Sequence, residues 1–140
     1  MSLHSLADAP ADKALAESFR VICLCAQWCA TCREYRPGFT DLAAQFPDSR
    51  FHWLDIEDRA DDLGDLDIEN FPTLFIARGE AILFFATMPP QLSHLRRMLE
   101  SFGEQTAEQS RDYARSDPER RGWQENADVG HLLRLSWPEQ

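Results

Sequence analysis

The sequence predicts an α/β fold in which helices flank a central mixed β-sheet. Short apolar runs bounded by turn residues, typical of buried strands, alternate with segments whose apolar residues recur every three or four positions, typical of amphipathic helices. The chain has 140 residues, 44% of them hydrophobic. That length suffices for one domain with a substantial core and not for two full domains.

The first half of the chain predicts a helix, a strand, a second helix and a second strand. Residues 11–19 carry apolar side chains at helical spacing, and the apolar run 20–26 predicts a buried strand. Residues 32–46 predict a helix that ends before Pro47. Residues 51–56, bounded by turn signals, predict a strand inside a mixed sheet.

The second half predicts a hairpin followed by a helix. Residues 73–77 and 81–86 predict two antiparallel strands joined through residues 78–80. Apolar side chains at helical spacing then predict a helix over residues 92–102. We expect this helix to cover the face of the sheet that the other helices leave open.

From residue 103 to residue 140 the composition turns polar. Asp117 before Pro118 predicts a helix start, because proline is favoured at the first helical position. The residues around Leu132 are too apolar for a free tail. Docking onto the chain's own domain is the favoured interpretation, and a dimer formed through this extension is the alternative.

Cys29 and Cys32 are separated by two residues. Cys29 lies between the first predicted strand and the helix that follows it, and Cys32 begins that helix. The positive end of the helix dipole favours a thiolate at Cys29, which we predict to be the nucleophile. Cys32 can attack a mixed disulfide formed at Cys29, so we predict it to be the resolving thiol.

Four motifs occur in an order that resembles the thioredoxin family over residues 19–102. They are Trp28-Cys29-Ala30-Thr31-Cys32, a proline at position 37, Phe71-Pro72-Thr73 in the place of the cis-proline motif, and the turn Arg78-Gly79-Glu80. The resemblance implies a thioredoxin-like fold, with a domain at residues 1–102 and a C-terminal extension at 103–140.

The same resemblance implies the site and its chemistry. Cys29 and Cys32 would be catalytic, and their disulfide would be the only redox group, with no cofactor. Substrate contacts are expected from Trp28, Ala30, Thr31, Phe71 and Pro72, with the residue before the proline pairing through its backbone with the substrate. Protein substrates with disulfides or thiols, and a dedicated reductase, are the implied partners.

Among the departures of the sequence from the family pattern, two lie near the resolving cysteine. Cys23 stands where many thioredoxins have an aspartate beneath the resolving cysteine, and Trp53 stands near the position of the lysine paired with that aspartate. We expect both residues to modulate the site. Loss of the carboxylate should slow deprotonation of Cys32, because a buried thiol is a poor proton acceptor.

The two further cysteines, Cys23 and Cys25, have several interpretations. A metal site is disfavoured, because both lie on one face of a predicted strand and not on turns. Each alone is most often a buried small hydrophobe. If Cys23 lies beneath Cys32, it could instead exchange with that sulfur as the third member of a thiol relay.

Charge excludes several classes of partner. The net charge is −10, the pI is about 4.7 and Lys13 is the only lysine, so we expect no binding to nucleic acid or to anionic membranes. The first eight residues lack the pattern of a secretory signal, and a cytoplasmic location is expected. The acidic segment 55–69 predicts a solvated face, with an acidic docking surface as the alternative and calcium disfavoured.

Two classes of function follow from these observations. In the favoured one the protein is a thiol–disulfide oxidoreductase that works through Cys29 and Cys32. In the alternative it is a thioredoxin-fold binding or assembly factor with little redox turnover, since fold alone does not establish function.

Overall fold

The structure is a computed structural model and describes residues 18–137. The strands are β1 (Phe19–Cys25), β2 (Arg50–Asp55), β3 (Thr73–Arg78) and β4 (Ala81–Thr87). The helices are α1 (Ala30–Ala44), α2 (Leu92–Gly103), α3 (Ala107–Ala114), α4 (Pro118–Glu125) and α5 (Ala127–His131), with short 3₁₀ helices at Ala60–Leu63 and Leu132–Arg134.

The strands form one sheet in the order β2-β1-β3-β4. Strand β1 pairs in parallel with β2 and antiparallel with β3, and β4 is antiparallel to β3. The predicted mixed sheet is therefore confirmed.

The strands begin and end within one residue of the sequence prediction. The larger differences concern helices. Helix α1 begins at Ala30, two residues earlier than predicted, so Cys32 lies inside its first turn. The helix predicted for residues 11–19 falls outside the described residues except for the last two, of which Phe19 already belongs to β1.

Strand β1 is buried on both faces. Alternate side chains of a strand point to opposite faces of a sheet. Val21, Cys23 and Cys25 accordingly lie in one apolar core, and Ile22 and Leu24 lie in a second core on the other side.

Helices α1 and α2 lie on the same face of the sheet. Their buried side chains, Tyr35, Phe39 and Leu42 from α1 with Leu95, Leu99 and Phe102 from α2, share the core that contains the cysteines. The expectation that α2 covers the opposite face is wrong, because an apolar stripe specifies that a helix is buried but not which face it covers. The two helices are close, since a Cβ at Gly38 would lie 2.7 Å from the Leu92 side chain.

The C-terminal segment covers the second face of the sheet. Val129, Leu132 and Leu135 pack in the same core as Ile22 and Leu24. The predicted docking of this segment onto its own domain is thereby confirmed. The division into a domain at 1–102 and an extension at 103–140 stays a prediction.

Local sequence signals start the C-terminal helices. Asp117 caps α4, with its carboxylate accepting from the backbone N–H groups of Glu119 and Arg120, which confirms the predicted helix start. Thr106 and Gln109 form a capping box at α3 that the sequence analysis did not identify.

Polar contacts fix this segment to the sheet. Arg78, the last residue of β3, donates to the Gln105 carbonyl at 2.8 Å and to the Ser110 hydroxyl at 3.0 Å. The Gln124 side chain meets the backbone of β4, because its oxygen accepts from Ile82 N–H at 2.9 Å and its nitrogen donates to the Ile82 carbonyl at 2.7 Å. Arg78 and Gln124 thus hold the C-terminal segment at the end of β3 and along the edge strand β4.

None of the helices within residues 18–137 is long and apolar enough to cross a lipid bilayer.

Replacing Leu132, which is fully buried in the second core, tests whether the C-terminal segment is part of the folded unit. We expect Leu132→Ala to lower the free energy of unfolding by about 2–5 kcal/mol, because it leaves a cavity under the sheet. The measurement is urea denaturation followed by circular dichroism. Leu133→Ala, at the half-buried neighbouring leucine, is the matched control and should cost less. Equal losses for the two variants would contradict this packing.

Candidate active site

Cys29 occupies the N-terminal end of α1. Its backbone is extended (φ −85°, ψ 121°) and its carbonyl accepts the first helical hydrogen bond, from Arg33 N–H at 3.1 Å. The thiol is free and half-buried. No acidic side chain lies in the first turn of α1, so the positive end of the helix dipole is not offset there. This position places the Cys29 sulfur at the start of the helix, where solvent and a target can reach it.

Cys32 lies one turn further into α1, is 1% exposed and forms a disulfide with Cys25, the last residue of β1. The Cα atoms of the pair are 5.8 Å apart, within the usual range for a disulfide. The structure therefore joins Cys32 to Cys25 and not to Cys29, and the predicted Cys29–Cys32 bond is absent from this state.

The two additional cysteines differ from each other. Cys23 is a free thiol with no exposed surface, as the buried-hydrophobe interpretation expected, and burial raises its pKa well above the usual range. The same interpretation is wrong for Cys25, which is bonded to Cys32. The sulfur atoms of Cys23 and Cys25 are 3.8 Å apart, since both side chains point to one face of β1. Cys25, and not Cys23, is thus the bonded neighbour of Cys32.

An aromatic pair borders Cys29. Trp28 is 61% exposed, and its ring meets that of Phe71 edge-on with centroids 5.6 Å apart. The indole N–H donates to the Glu57 carboxylate at 3.0 Å, which fixes the direction of the ring. Glu57 lies in the acidic segment without a distinguishing motif, so its contact with Trp28 has no signal in the sequence.

The other predicted substrate contacts differ in exposure. Ala30 is exposed and Thr31 half-buried at the start of α1. The Phe71–Pro72 peptide bond is cis, Pro72 is buried, and its carbonyl accepts from Met88 N–H at 3.0 Å. The half-buried Phe71 therefore presents the accessible part of this motif.

Trp53 is directly opposite Cys23 in the pairing of β1 with β2. The Arg36 guanidinium lies 5.0 Å from the centre of its ring, and the Phe39 ring packs against it. Nearby, the Tyr35 hydroxyl is buried without a hydrogen-bond partner, and burial, followed by the neighbouring Cys23, raises its pKa. The side chains around Cys23 are therefore mainly aromatic. The carboxylate of Asp55 belongs to the next pair along the strands, opposite Cys25, and it lines a cavity that also reaches Cys32.

A cavity of about 780 Å³ reaches Cys32 from the side of β2. Its lining residues include Cys32, Trp53, His52, Arg59 and Trp137. Trp137, from the C-terminal segment, stacks on the His52 ring with centroids 4.2 Å apart, and the Arg59 guanidinium lies 4.2 Å from the centre of the indole. The C-terminal segment thus forms one wall of the cavity beside the resolving cysteine, which the sequence analysis did not anticipate.

His52 is held neutral by its surroundings. Burial, followed by the positive charges of Arg20, Arg50 and Arg59, lowers its pKa from 6.5 to about 4. A neutral ring stacked on Trp137 has no charge to desolvate, which suits its half-buried position.

No group of three or more His, Cys, Asp or Glu side chains that could hold a metal ion occurs between residues 18 and 137. Within the acidic segment, the carboxylate of Asp55 accepts from the backbone N–H groups of Glu57 and Asp58, and Asp62 pairs with Arg59. These side chains are engaged in local turns and one ion pair.

Comparison with known proteins agrees with this geometry. The family model described as Thioredoxin matches residues 3–101. A thioredoxin H-type protein of Picea mariana is 36% identical over 58 residues, which are 41% of this chain and 46% of that protein. Thioredoxin H2-2 of Oryza sativa subsp. japonica is 32% identical over 59 residues, 42% of this chain and 44% of that protein. The chain thus spans a little under half the length of the curated relatives it matches.

Solved structures match over more of the chain at lower identity. A thioredoxin of Fasciola hepatica superposes with a TM-score of 0.57 and 17% identity over 71% of this chain and 93% of that one. A poplar thioredoxin h gives 0.58 and 18% over 74% and 88%. A thioredoxin f2 solved in complex with ferredoxin:thioredoxin reductase gives 0.55 and 24% over 66% and 84%. The predicted thioredoxin-like fold is confirmed.

His52 should make stability depend on pH. Its pKa is lower in the folded chain than in the unfolded chain, so the unfolded chain binds more protons between pH 6.5 and about 4. The contribution of His52 to stability is complete above pH 6.5 and is lost as the pH falls through this window. We expect His52→Phe, which keeps a ring against Trp137 but cannot titrate, to lose less stability over this window than the wild type. Urea denaturation at pH 7 and pH 4.5 measures this difference, and parallel losses would refute the assignment to His52.

Proposed function

Because the chain belongs to the thioredoxin family, we propose that it is a protein thiol–disulfide oxidoreductase with Cys29 as nucleophile and Cys32 as resolving thiol. One observation carries the proposal. A free, accessible thiol at the start of α1 is followed one turn later by a buried cysteine that is already in a disulfide-forming environment.

The proposed reaction begins with both thiols reduced. The Cys29 thiolate attacks one sulfur of a target disulfide, a bond forms between them, and the other target sulfur leaves as a thiolate. Cys32 then attacks the Cys29 sulfur and releases the target. The target gains two electrons, and the protein, now with a Cys29–Cys32 disulfide, loses two. The Cys25–Cys32 bond must open before this cycle can begin, because Cys32 is not free in that state.

Deprotonation of Cys32 is the step for which the site is least equipped. Cys23, whose pKa burial raises, stays protonated and accepts no proton, and Trp53 opposite it has no acid–base group. We propose that both residues act as modulators that keep this step slow. The cavity beside Cys32, which Asp55 and Asp58 also line, is the remaining route for the proton.

We propose that targets dock on the exposed aromatic pair formed by Trp28 and Phe71. A target chain would pair with the backbone at Phe71, while Ala30 and Thr31 contact the residues next to its disulfide. Small side chains at positions 30 and 31 leave the approach to Cys29 open.

The proposed partners are proteins with disulfides or thiols and a reductase that restores the dithiol. The structural neighbour solved with ferredoxin:thioredoxin reductase supports the second of these. We propose a cytoplasmic setting, since four cysteines within ten positions suit a reducing compartment. The apolar residues that suggested a dimer are buried within one chain, so they give no support to pairing with a second copy.

A second candidate function, a binding or assembly factor with little turnover, is favoured by the same disulfide. When Cys32 is bonded to Cys25, Cys29 has no resolving partner, and the aromatic pair still presents a docking surface.

Reduction of insulin by dithiothreitol, with the protein in catalytic amounts, tests the oxidoreductase. We expect Cys29→Ser to abolish the acceleration, because the nucleophile is lost. Cys32→Ser should leave a single attack that ends in a mixed disulfide with the target. A wild-type protein that does not accelerate the reaction, or a Cys29→Ser variant that still does, would favour the binding factor.

The role of Trp28 can be separated from the chemistry. We expect Trp28→Ala to raise KM for a protein disulfide roughly 2- to 12-fold, the equivalent of about 0.5–1.5 kcal/mol for a lost aromatic contact. Trp28→Phe, which keeps a ring but lacks the N–H that Glu57 accepts, should lie between this variant and the wild type. An unchanged KM for Trp28→Ala would exclude the docking role.

A further inference from the structure

The proposed reaction uses two of the four cysteines and leaves Cys23 and Cys25 without a task. All four lie within residues 23–32. In the structure three of them lie in a row: Cys32 is bonded to Cys25, and the sulfur of Cys25 is 3.8 Å from that of Cys23. Cys32 therefore has two possible disulfide partners, Cys29 and Cys25.

We propose that Cys25 is a third redox thiol of this site, which takes the Cys32 sulfur from Cys29 by disulfide exchange and later returns it. The inference rests on the proposed function, because Cys29 and Cys32 must first become oxidised by a target. In the exchange, the Cys25 thiolate attacks Cys32 Sγ, the Cys25–Cys32 bond forms, the Cys29–Cys32 bond breaks, and Cys29 leaves as a thiolate. The proton lost by Cys25 passes to solvent or to Cys29. No electrons enter or leave the protein.

The positions of Cys29 and Cys25 explain how the sulfur of Cys32 can bond to either of them. Cys29 precedes Cys32 by one helical turn, at the end of α1, and Cys25 faces Cys32 from the end of β1 with a Cα separation of 5.8 Å. Both approaches meet at the first turn of α1. The exchange therefore needs rotation of side chains and no change in the sheet.

Cys23 assists this exchange as a positioning residue. Cys25 carries no proton while it is bonded to Cys32, so the S–H of Cys23 is the donor in the contact between their sulfur atoms. A hydrogen bond donated to a sulfur stabilises its thiolate, which is the form in which Cys25 attacks and leaves.

The two oxidised states differ in what they present to solvent. Cys25 and Cys32 are 0% and 1% exposed, so a disulfide between them is shielded from external thiols, while Cys29 is a free and accessible thiol. The protein in this state is oxidised yet still able to capture a target at Cys29. A Cys29 bonded to a target cannot take Cys32 back, so release of that target needs two electrons from the proposed reductase, which opens the Cys25–Cys32 bond and frees Cys32 to attack the Cys29 sulfur.

Disulfide mapping tests the exchange directly. Protein oxidised with oxidised glutathione is quenched in acid and its free thiols are alkylated. Trypsin releases residues 21–33 as one peptide that contains all four cysteines, and chymotrypsin divides it after Leu24 and Trp28. A Cys25–Cys32 bond joins fragments 25–28 and 29–33, whereas a Cys29–Cys32 bond lies within fragment 29–33. Tandem mass spectrometry locates the alkylated cysteine. We expect the joined fragments in the wild type, with the alkyl group on Cys29.

Matched variants separate Cys25 from its neighbour. Cys25→Ala and Cys23→Ala each remove one buried thiol from the same face of β1. In oxidised protein at equilibrium, iodoacetamide should label Cys29 in the wild type and in Cys23→Ala, which keeps Cys25, but in Cys23→Ala the label should appear more slowly after oxidation, because the S–H donor to Cys25 is lost. The label should be lost in Cys25→Ala, where Cys32 has only Cys29 as partner. Cys29→Ala gives a result that does not depend on the folding of Cys25→Ala, because it should still form one internal disulfide between positions 25 and 32.

The outcomes distinguish this inference from the proposed function. Finding only the Cys29–Cys32 bond in the wild type, or no Cys25–Cys32 bond in Cys29→Ala, overturns the exchange even if insulin is reduced. If the joined fragments are found in a protein that does not reduce insulin, the role of Cys25 as a third redox thiol stands and the proposed oxidoreductase function is overturned.

Discussion

The rest of the structure depends on the position of β1 between two neighbouring strands. Because β2 and β3 satisfy its backbone on both sides, every residue of β1 except the half-buried Arg20 places its side chain in a core, and alternation divides those side chains between the two faces. The same alternation that buries Ile22 and Leu24 under the C-terminal segment aligns Cys23 and Cys25 beneath α1. The cysteines and the residues around Leu132 therefore pack against opposite faces of one strand, although Trp137 also lines the cavity that reaches Cys32.

The elements that were predictable are those whose signal is local. The strand before Cys29, the hairpin around Gly79 and the start of α4 at Asp117 follow from periodicity, turn residues and capping, and the structure has them within a residue or two. The face covered by α2 was not predictable, because which side of a sheet a helix reaches is decided by competition with the other apolar segments. Here the residues around Leu132 occupy the second face, and α2 packs beside α1.

The site was predictable only as far as the motif extends. Cys29 and Cys32 follow from their spacing, and the resemblance adds Phe71 and Pro72. Cys25 was wrongly interpreted as a buried small hydrophobe, because the spacing of cysteines in the sequence identifies only Cys29 and Cys32 as a pair. The distance between Cys25 and Cys32 depends instead on how the end of β1 meets the first turn of α1. One signal was available in the sequence: Cys25 ends a strand on the same face as Cys23, directly before the turn that carries Cys29. Contacts such as Trp28 with Glu57, or His52 with Trp137, join distant segments and leave no pattern in the sequence.

Gln124 has a consequence beyond the attachment of α4. Strand β4 lies at the end of the sheet order, and a strand in that position carries unpaired backbone groups that can recruit a strand from another molecule. The Gln124 amide satisfies both the N–H and the carbonyl of Ile82, as a neighbouring strand would, but a single side chain offers no backbone on which pairing could continue. The glutamine thus occupies the position beside Ile82 that a strand from another molecule would need for pairing, at the edge of the sheet two strands away from β1.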